Sequence, residues 1–225
     1  MGLDLTVGIL TALIDSDDEG FERYQRLLAH VNQALQAEGL PPHHEPITLQ
    51  PRIPWHAQMW SYSGLHYLRR IAAYLWADHP LPAPGTYEDM RSPMNDLVID
   101  KAYCLLYPLD HPFAAYHLLC HSDSGGFYLP QEFPEVIYAD ATLGIPGNMI
   151  GSAAMLQREC AQIARVLEVP SDLDPDDERV WQAADTQGQQ SETLWQHYGI
   201  ETFTCVRLLQ ACEIALETNC AIVFH

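Results

Sequence analysis

The sequence predicts an α+β fold, a single domain over residues 1–225 with several amphipathic helices packed on a small, mainly antiparallel sheet that includes both termini. Three observations predict it. Each end carries a short β-branched, apolar run, "LDLTVGILTALI" and "CAIVFH". The segments between them place apolar residues at helical spacing. The proline-rich connection "PLPAPGTYEDMRSPMND" could mark a domain boundary, but the segments on either side of it are too incomplete to fold alone.

"LDLTVGILTALI" reads as the first strand, and not as a signal peptide, because it lacks a basic leading region and a small-residue cleavage site. "DSDDEG" supplies helix-capping and first-turn acids. The following helix lines up Tyr24, Leu27, Leu28, Val31 and Leu35 and stops at Gly39. "LPPHHEPITLQPRIP" is too rich in proline to be helical, and its His43 and His44 read as exposed loop residues. A second helix, "SYSGLHYLRRIAAYLWADHP", buries Leu65, Leu68, Ala72, Leu75 and Trp76. "LVIDKAYCLLY" is apolar throughout and fits strand or helix alike. A short strand is expected at Val136 to Tyr138. A third helix is expected over "GNMIGSAAMLQRECAQIARVLEV", with Met149, Ala153, Leu156, Cys160, Ile163 and Leu167 inward. "PSDLDPDDERVWQ" is an acidic linker or capped turn. Ser191 then opens a helical stretch, broken near Gly199, before the last strand.

Composition narrows the function. The chain has 225 residues, 11 basic against 30 acidic, and a formal net charge of -19. Such a surface repels phosphate, which argues against nucleic acid and anionic membranes as ligands. It attracts a basic protein instead. No run reaches the roughly 18 apolar residues of a membrane helix. The six cysteines form no C-x-x-C pair and read as buried thiols in a reducing cytoplasm.

The stretch "HLLCHSDSGGFYLP", residues 117 to 130, concentrates the reactive side chains. His111, His117, Cys120 and His121 are of zinc-ligand type. An extended backbone from Tyr116 would hold His117 and His121 about 13 Å apart, too far for one ion with bonds of about 2 Å. A helix would instead set the same pair on one face, where it could chelate, and "PFAAYHLLCHS" does not exclude a helix. It lacks the H-E-x-x-H glutamate, however, so no metal and no cofactor is expected. In an extended chain Cys120 and His121 also face opposite sides, so the thiol and its neighbouring imidazole do not cooperate. The structural reading is a polar turn. Ser122 and Asp123 bond backbone amides, Gly125 and Gly126 take positive φ, and His121 is a partly buried ring bonded to Asp123 or to backbone.

"MGLDLTVGIL", "EGLPPHHEP", "SYSGLHYLRR", "HLLCHSDSGGFYLPQEF" and "IPGNMIGS" follow one another along most of the chain. With these pieces the sequence resembles a family of uncharacterised bacterial proteins sharing an HLLCHSD-x-x-GFYLP signature. Members of that family more often carry Cys-Glu-Gly where this chain has Ser124, Gly125 and Gly126. The resemblance implies a bacterial, soluble protein and, by analogy with similar small acidic families, an immunity protein.

Two functions follow as expectations. The first is a cytoplasmic, acidic protein-binding module of the immunity or antitoxin kind that meets a basic partner. The alternative is a hydrolase, with His121 as general base, Asp123 orienting it and His66 completing the catalytic set. Tyr62, Arg69, Arg70, Ser122 and Tyr128 would then bind the ligand, Arg70 holding an anion.

Overall fold

The computed structural model describes residues 3–48, 54–59, 62–86, 93–106, 116–123, 125–187 and 191–225, leaving aside the side chains of residues 62, 94 and 103–106. The first strand, β1 (Asp4–Val7), ends sooner than the apolar run suggests. Gly8 takes φ 83°, a left-handed angle that glycine adopts without strain, and turns the chain into α1 (Ile9–Leu13). Helix α2 (Asp18–Ala37) starts where the acidic run predicts. The Asp17 carboxylate accepts the Gly20 amide at 3.0 Å, and Gly39 closes the far end at φ 72°.

The proline-rich loop after α2 is pinned at His43, which is buried and not exposed as its sequence context suggests. Asn32 bonds the His43 backbone on both sides, and the imidazole meets Glu45 at 2.7 Å. Glu45 in turn accepts the Ala221 amide at 2.8 Å. Strand β2 (Trp55–Gln58) alternates apolar Trp55 and Ala57 with polar His56 and Gln58 over only four residues, and it pairs antiparallel with β1.

Helix α3 (Tyr62–Trp76) buries Leu65 and Leu68 as expected, but its other buried aliphatic side chains are Ile71 and Ala73, while Ala72, Leu75 and Trp76 are only partly buried. "LVIDKAYCLLY" resolves to a helix, α4 (Leu97–Leu106), opened by the Asp96 carboxylate on the Val98 amide. After it come α5 (His117–Cys120), β3 (Gly126–Leu129) and β4 (Ile137–Tyr138). Met149 to Ser152 form a strand, β5, and not the start of the third helix. Gly147 and Asn148, both at positive φ, turn the chain into that strand, and the Ser152 hydroxyl then caps α6 (Ala153–Val166). The acidic linker leads into α7 (Glu178–Thr186), capped by Asp177. The break expected near Gly199 separates α8 (Leu194–His197) from α9 (Gly199–Thr218), and β6 (Ile222–Phe224) ends the order.

The sheet runs β2-β1-β6-β3-β5-β4. All neighbours are antiparallel except β3 and β5. The two ends of the chain meet at its centre, with Leu5 beside Phe224 and Val7 beside Ile222. A central strand covered on both faces needs an unbroken apolar run, which "AIVF" supplies. Leu5, Val7, Tyr128, Ile222 and Phe224 pack against α3, α6 and α9. Phe127, Leu129, Val223 and Ile150 face α1 and α2 on the other side. Helix α9 is buried around nearly its whole first half, so it shows almost no polar face. At its start a Cβ on Gly199 would lie 2.0 Å from the Ala183 carbonyl oxygen, which only glycine avoids. Among the described residues no helix is long and apolar enough to cross a membrane.

Candidate functional site

The 117–129 segment sits where α3, α6 and the sheet converge. Its backbone is not extended as expected: His117 to Cys120 make one helical turn, and only His121 returns to an extended conformation, at φ -82° and ψ 154°. The cause is outside the segment. Both carboxylate oxygens of Glu159, on α6, take the free amides at the head of that turn, His117 at 2.7 Å and Leu118 at 2.8 Å. Burial pushes the Glu159 carboxyl up to about 7, against these two amide bonds.

Arg69 closes the other end. Its Nε donates to the Leu118 carbonyl at 2.7 Å, and one terminal nitrogen donates to the carbonyls of His121 at 2.6 Å and Ser122 at 3.4 Å. Arg69 is therefore a buried brace for this turn and does not face a ligand, contrary to the sequence expectation. Its planar fork suits three carbonyls presented from one side.

His121 is also structural. Its ring lies flat on Tyr128 with centroids 4.0 Å apart. Nδ1 is 3.0 Å from the Ser122 carbonyl oxygen and Nε2 is 3.1 Å from that of Phe127. Burial pulls its pKa down to about 4, so the ring is neutral near pH 7 and donates to one of the two carbonyls at a time. The expected bond to backbone exists, while the alternative partner, Asp123, pairs with His66 at 3.1 Å instead. Tyr128 is buried and donates its hydroxyl to the His117 carbonyl at 3.0 Å.

The glycines fit the turn differently from the expectation that both take positive φ. Gly126 alone does, at 112°, and a Cβ there would lie 2.8 Å from the His121 ring.

The remaining expected site residues separate. Arg70 lies beside the Tyr67 ring, donates to the Ala83 carbonyl and stands 3.8 Å from buried Glu201. It thereby helps fasten the proline-rich segment after α3. Ser122 packs beneath Gly147. His66 and Asp123 form the half-exposed remainder, with the His66 pKa lowered by burial and by Arg69 against the pull of Asp123. The side chain of Tyr62 and the whole of His111 lie outside the described residues. His117 turns its Nδ1 to the Ser152 amide at 2.9 Å. Among the described residues no three His, Cys, Asp or Glu side chains gather as a metal site.

The open features lie elsewhere. A groove of about 520 Å³ runs between α6, α9 and the acidic segment before α7. A second, of about 450 Å³, lies beside β4. Sequence reasoning missed both, because each is assembled from segments far apart in the chain. The only signal available was the acidic run "SDLDPDDE", read as a linker.

The surface around them is acidic beyond what the composition conveys. Arg69 and Arg207 are buried, and Arg70 is mostly so. Exposed cations among the described residues are Arg23, Arg26, Lys101, Arg158, Arg165 and Arg179. Of these, Arg26, Arg158 and Arg179 pair with Glu22, Glu132 and Asp177.

A family model described as "Putative DNA-mimic protein" matches residues 1–224. No curated protein and no solved structure matches the chain. The family match overturns both functional expectations, the immunity or antitoxin module and the hydrolase built on His121, Asp123 and His66. It also corrects the partner. The partner of an immunity or antitoxin module gives way to the kind a DNA-mimic family implies, a DNA-binding protein, and a basic partner fits that too.

Proposed function

The chain belongs to the DNA-mimic family, and from that premise we propose that its carboxylate surface occupies the phosphate-binding face of a DNA-binding protein and so competes with duplex DNA. One observation carries the reading: of the nine described cations three are drawn into the fold and three more are paired with carboxylates at the surface, while most acids stay exposed. Arg69 serves buried carbonyls, Arg70 a carbonyl and Glu201, and Arg207 the Asp176 carboxylate at 2.7 Å. Exposed acids are left in runs, such as Asp15, Asp17, Asp18, Glu19 and Glu22 around the head of α2. A second run holds Glu168, Asp172, Asp174, Asp176 and Glu178 before and into α7.

Duplex DNA presents one charge per about 1.7 Å of axis. Proteins that read it line their surface with Lys and Arg, which bind carboxylates by the same charge-assisted hydrogen bonds. Nucleic acid itself remains an unfavourable ligand for this surface.

The test immobilises the protein and passes over it the DNA-binding fraction of its host cell, eluted from DNA-cellulose. The expected result is retention of a protein that soluble duplex DNA then releases. Retention of nothing, or of proteins that duplex DNA fails to release, overturns the proposal.

A further inference from the structure

We propose that the groove between α6, α9 and the 168–177 segment is the docking surface for a basic segment of the DNA-binding partner, and that it takes an arginine or lysine side chain lengthwise. This rests on the DNA-mimic reading and adds to it a place and a mode.

The groove has two chemistries in the right order. Its floor is apolar: Ala161 and Ala164 from α6, Val206 and Leu209 from α9, and Val169 and Leu173 from the connecting segment. Its rim is acidic. Glu213 lines it from α9. Exposed Glu168, Asp172 and Asp174 alternate along the segment with lining residues Val169, Ser171, Leu173 and Pro175. An apolar floor under a carboxylate rim fits an amphipathic cation, whose methylene stem lies on the floor while its head reaches the acids. A bare anion is repelled by the rim, and a purely apolar segment leaves the rim unanswered.

Two details sharpen the fit. The Gln210 side-chain oxygen on the groove wall is shielded from solvent and takes no hydrogen bond from a described residue. Only after a side-chain rotation would it accept from an incoming N–H. Asp176 and Asp177 are already held by Arg207 and Arg179, both at 2.7 Å, so the carboxylates available to a partner are those nearer the groove. Arg165 also lines the groove, bonded only weakly to the Ala161 carbonyl of its own helix at 3.3 Å. It opposes a basic guest and gives the test a variant of opposite sign. The groove beside β4 offers Glu38 and Glu135 but no second acidic run along its wall.

The experiment titrates the isotope-labelled full chain with a blocked arginine-rich helical peptide and follows amide shifts. The expected shifts cluster at Ala161, Ala164, Val169, Leu173, Leu209 and Glu213. Asp174→Asn with Glu213→Gln is expected to weaken binding roughly tenfold, as the loss of close charge pairs implies. Arg165→Gln is expected to strengthen it, whereas Glu38→Gln with Glu135→Gln, the same change of charge at the groove beside β4, leaves it nearly unchanged. These residues are exposed, so the variants keep the fold. Shifts centred on α2 or on β4, or equal weakening by both double variants, overturn the proposal. If duplex DNA releases the partner but the shifts lie elsewhere, the groove falls and DNA mimicry stands. If the shifts lie in the groove but duplex DNA releases nothing, mimicry falls instead.

Discussion

Arg69 reaches from α3 to the carbonyl oxygen of His121 and holds it at 2.6 Å inside the core. Replacing it with Met removes the donor from three carbonyls at once and leaves those of Leu118 and His121 buried without it. Arg69→Met is therefore expected to cost about 3 kcal/mol in urea unfolding. Arg69→Lys recovers only part, because an ammonium cannot reproduce the fork. A loss below about 1 kcal/mol for the Met variant, the size of one ordinary hydrogen bond, contradicts the brace.

Gly126 and Gly144 both take positive φ, at 112° and 62°, but their surroundings differ. A Cβ on Gly126 meets the His121 ring at 2.8 Å and the Met149 carbonyl at 2.9 Å, whereas one on Gly144 meets nothing within 4 Å. Alanine at Gly144 is expected to cost about 1 kcal/mol, the price of the angle alone. At Gly126 it is expected to cost at least about 3 kcal/mol, as strain and steric conflict add. Equal melting temperatures for the two variants contradict the packing described.

His117 and His121 are both pulled down to about 4 by burial. Between about pH 6.5 and 4 the unfolded chain binds protons that the folded rings refuse, so these groups lower stability as the pH falls through that window. His117→Asn keeps an acceptor for the Ser152 amide and removes one titrating ring. The variant is expected to lose up to about 1.4 kcal/mol per pH unit of that slope. An unchanged slope sinks the assignment.

Glu159 titrates in the opposite sense. Its folded pKa is raised to about 7, so its proton stabilises the fold at low pH and that contribution disappears as the pH rises through 7. Glu159→Gln abolishes the effect, so the substitution costs more stability at pH 5 than at pH 7.5. The cost at neutral pH is not zero, since an amide offers one acceptor oxygen to the two N–H groups of His117 and Leu118. Unfolding curves at the two pH values decide the matter, and equal costs contradict the raised pKa.

Much of the architecture was legible because it is local. The acidic run before α2 caps a helix in any context, and Gly39 ends it in any context. The apolar run of β6 lies at the centre of the sheet, where both faces are covered. The misreadings share a different cause. "HLLCH" coils because Glu159, far along the chain, satisfies the amides of its first turn. Met149 to Ser152 are strand and not helix because β3 offers them a partner. Arg69 and His43 are buried because carbonyls and a carboxylate wait for them inside.

By itself the sequence determined the fold class, the pairing of chain ends in one sheet and a charge that no duplex tolerates as a neighbour. Periodicity and net charge are properties of the chain that folding does not alter. Only the tertiary structure decided which arginines turn inward, which acids remain outside, and that an apolar trough lies beneath one acidic run. Those outcomes depend on distances between segments remote in sequence, and a buried cation is tolerated only where the fold brings enough acceptors to meet it.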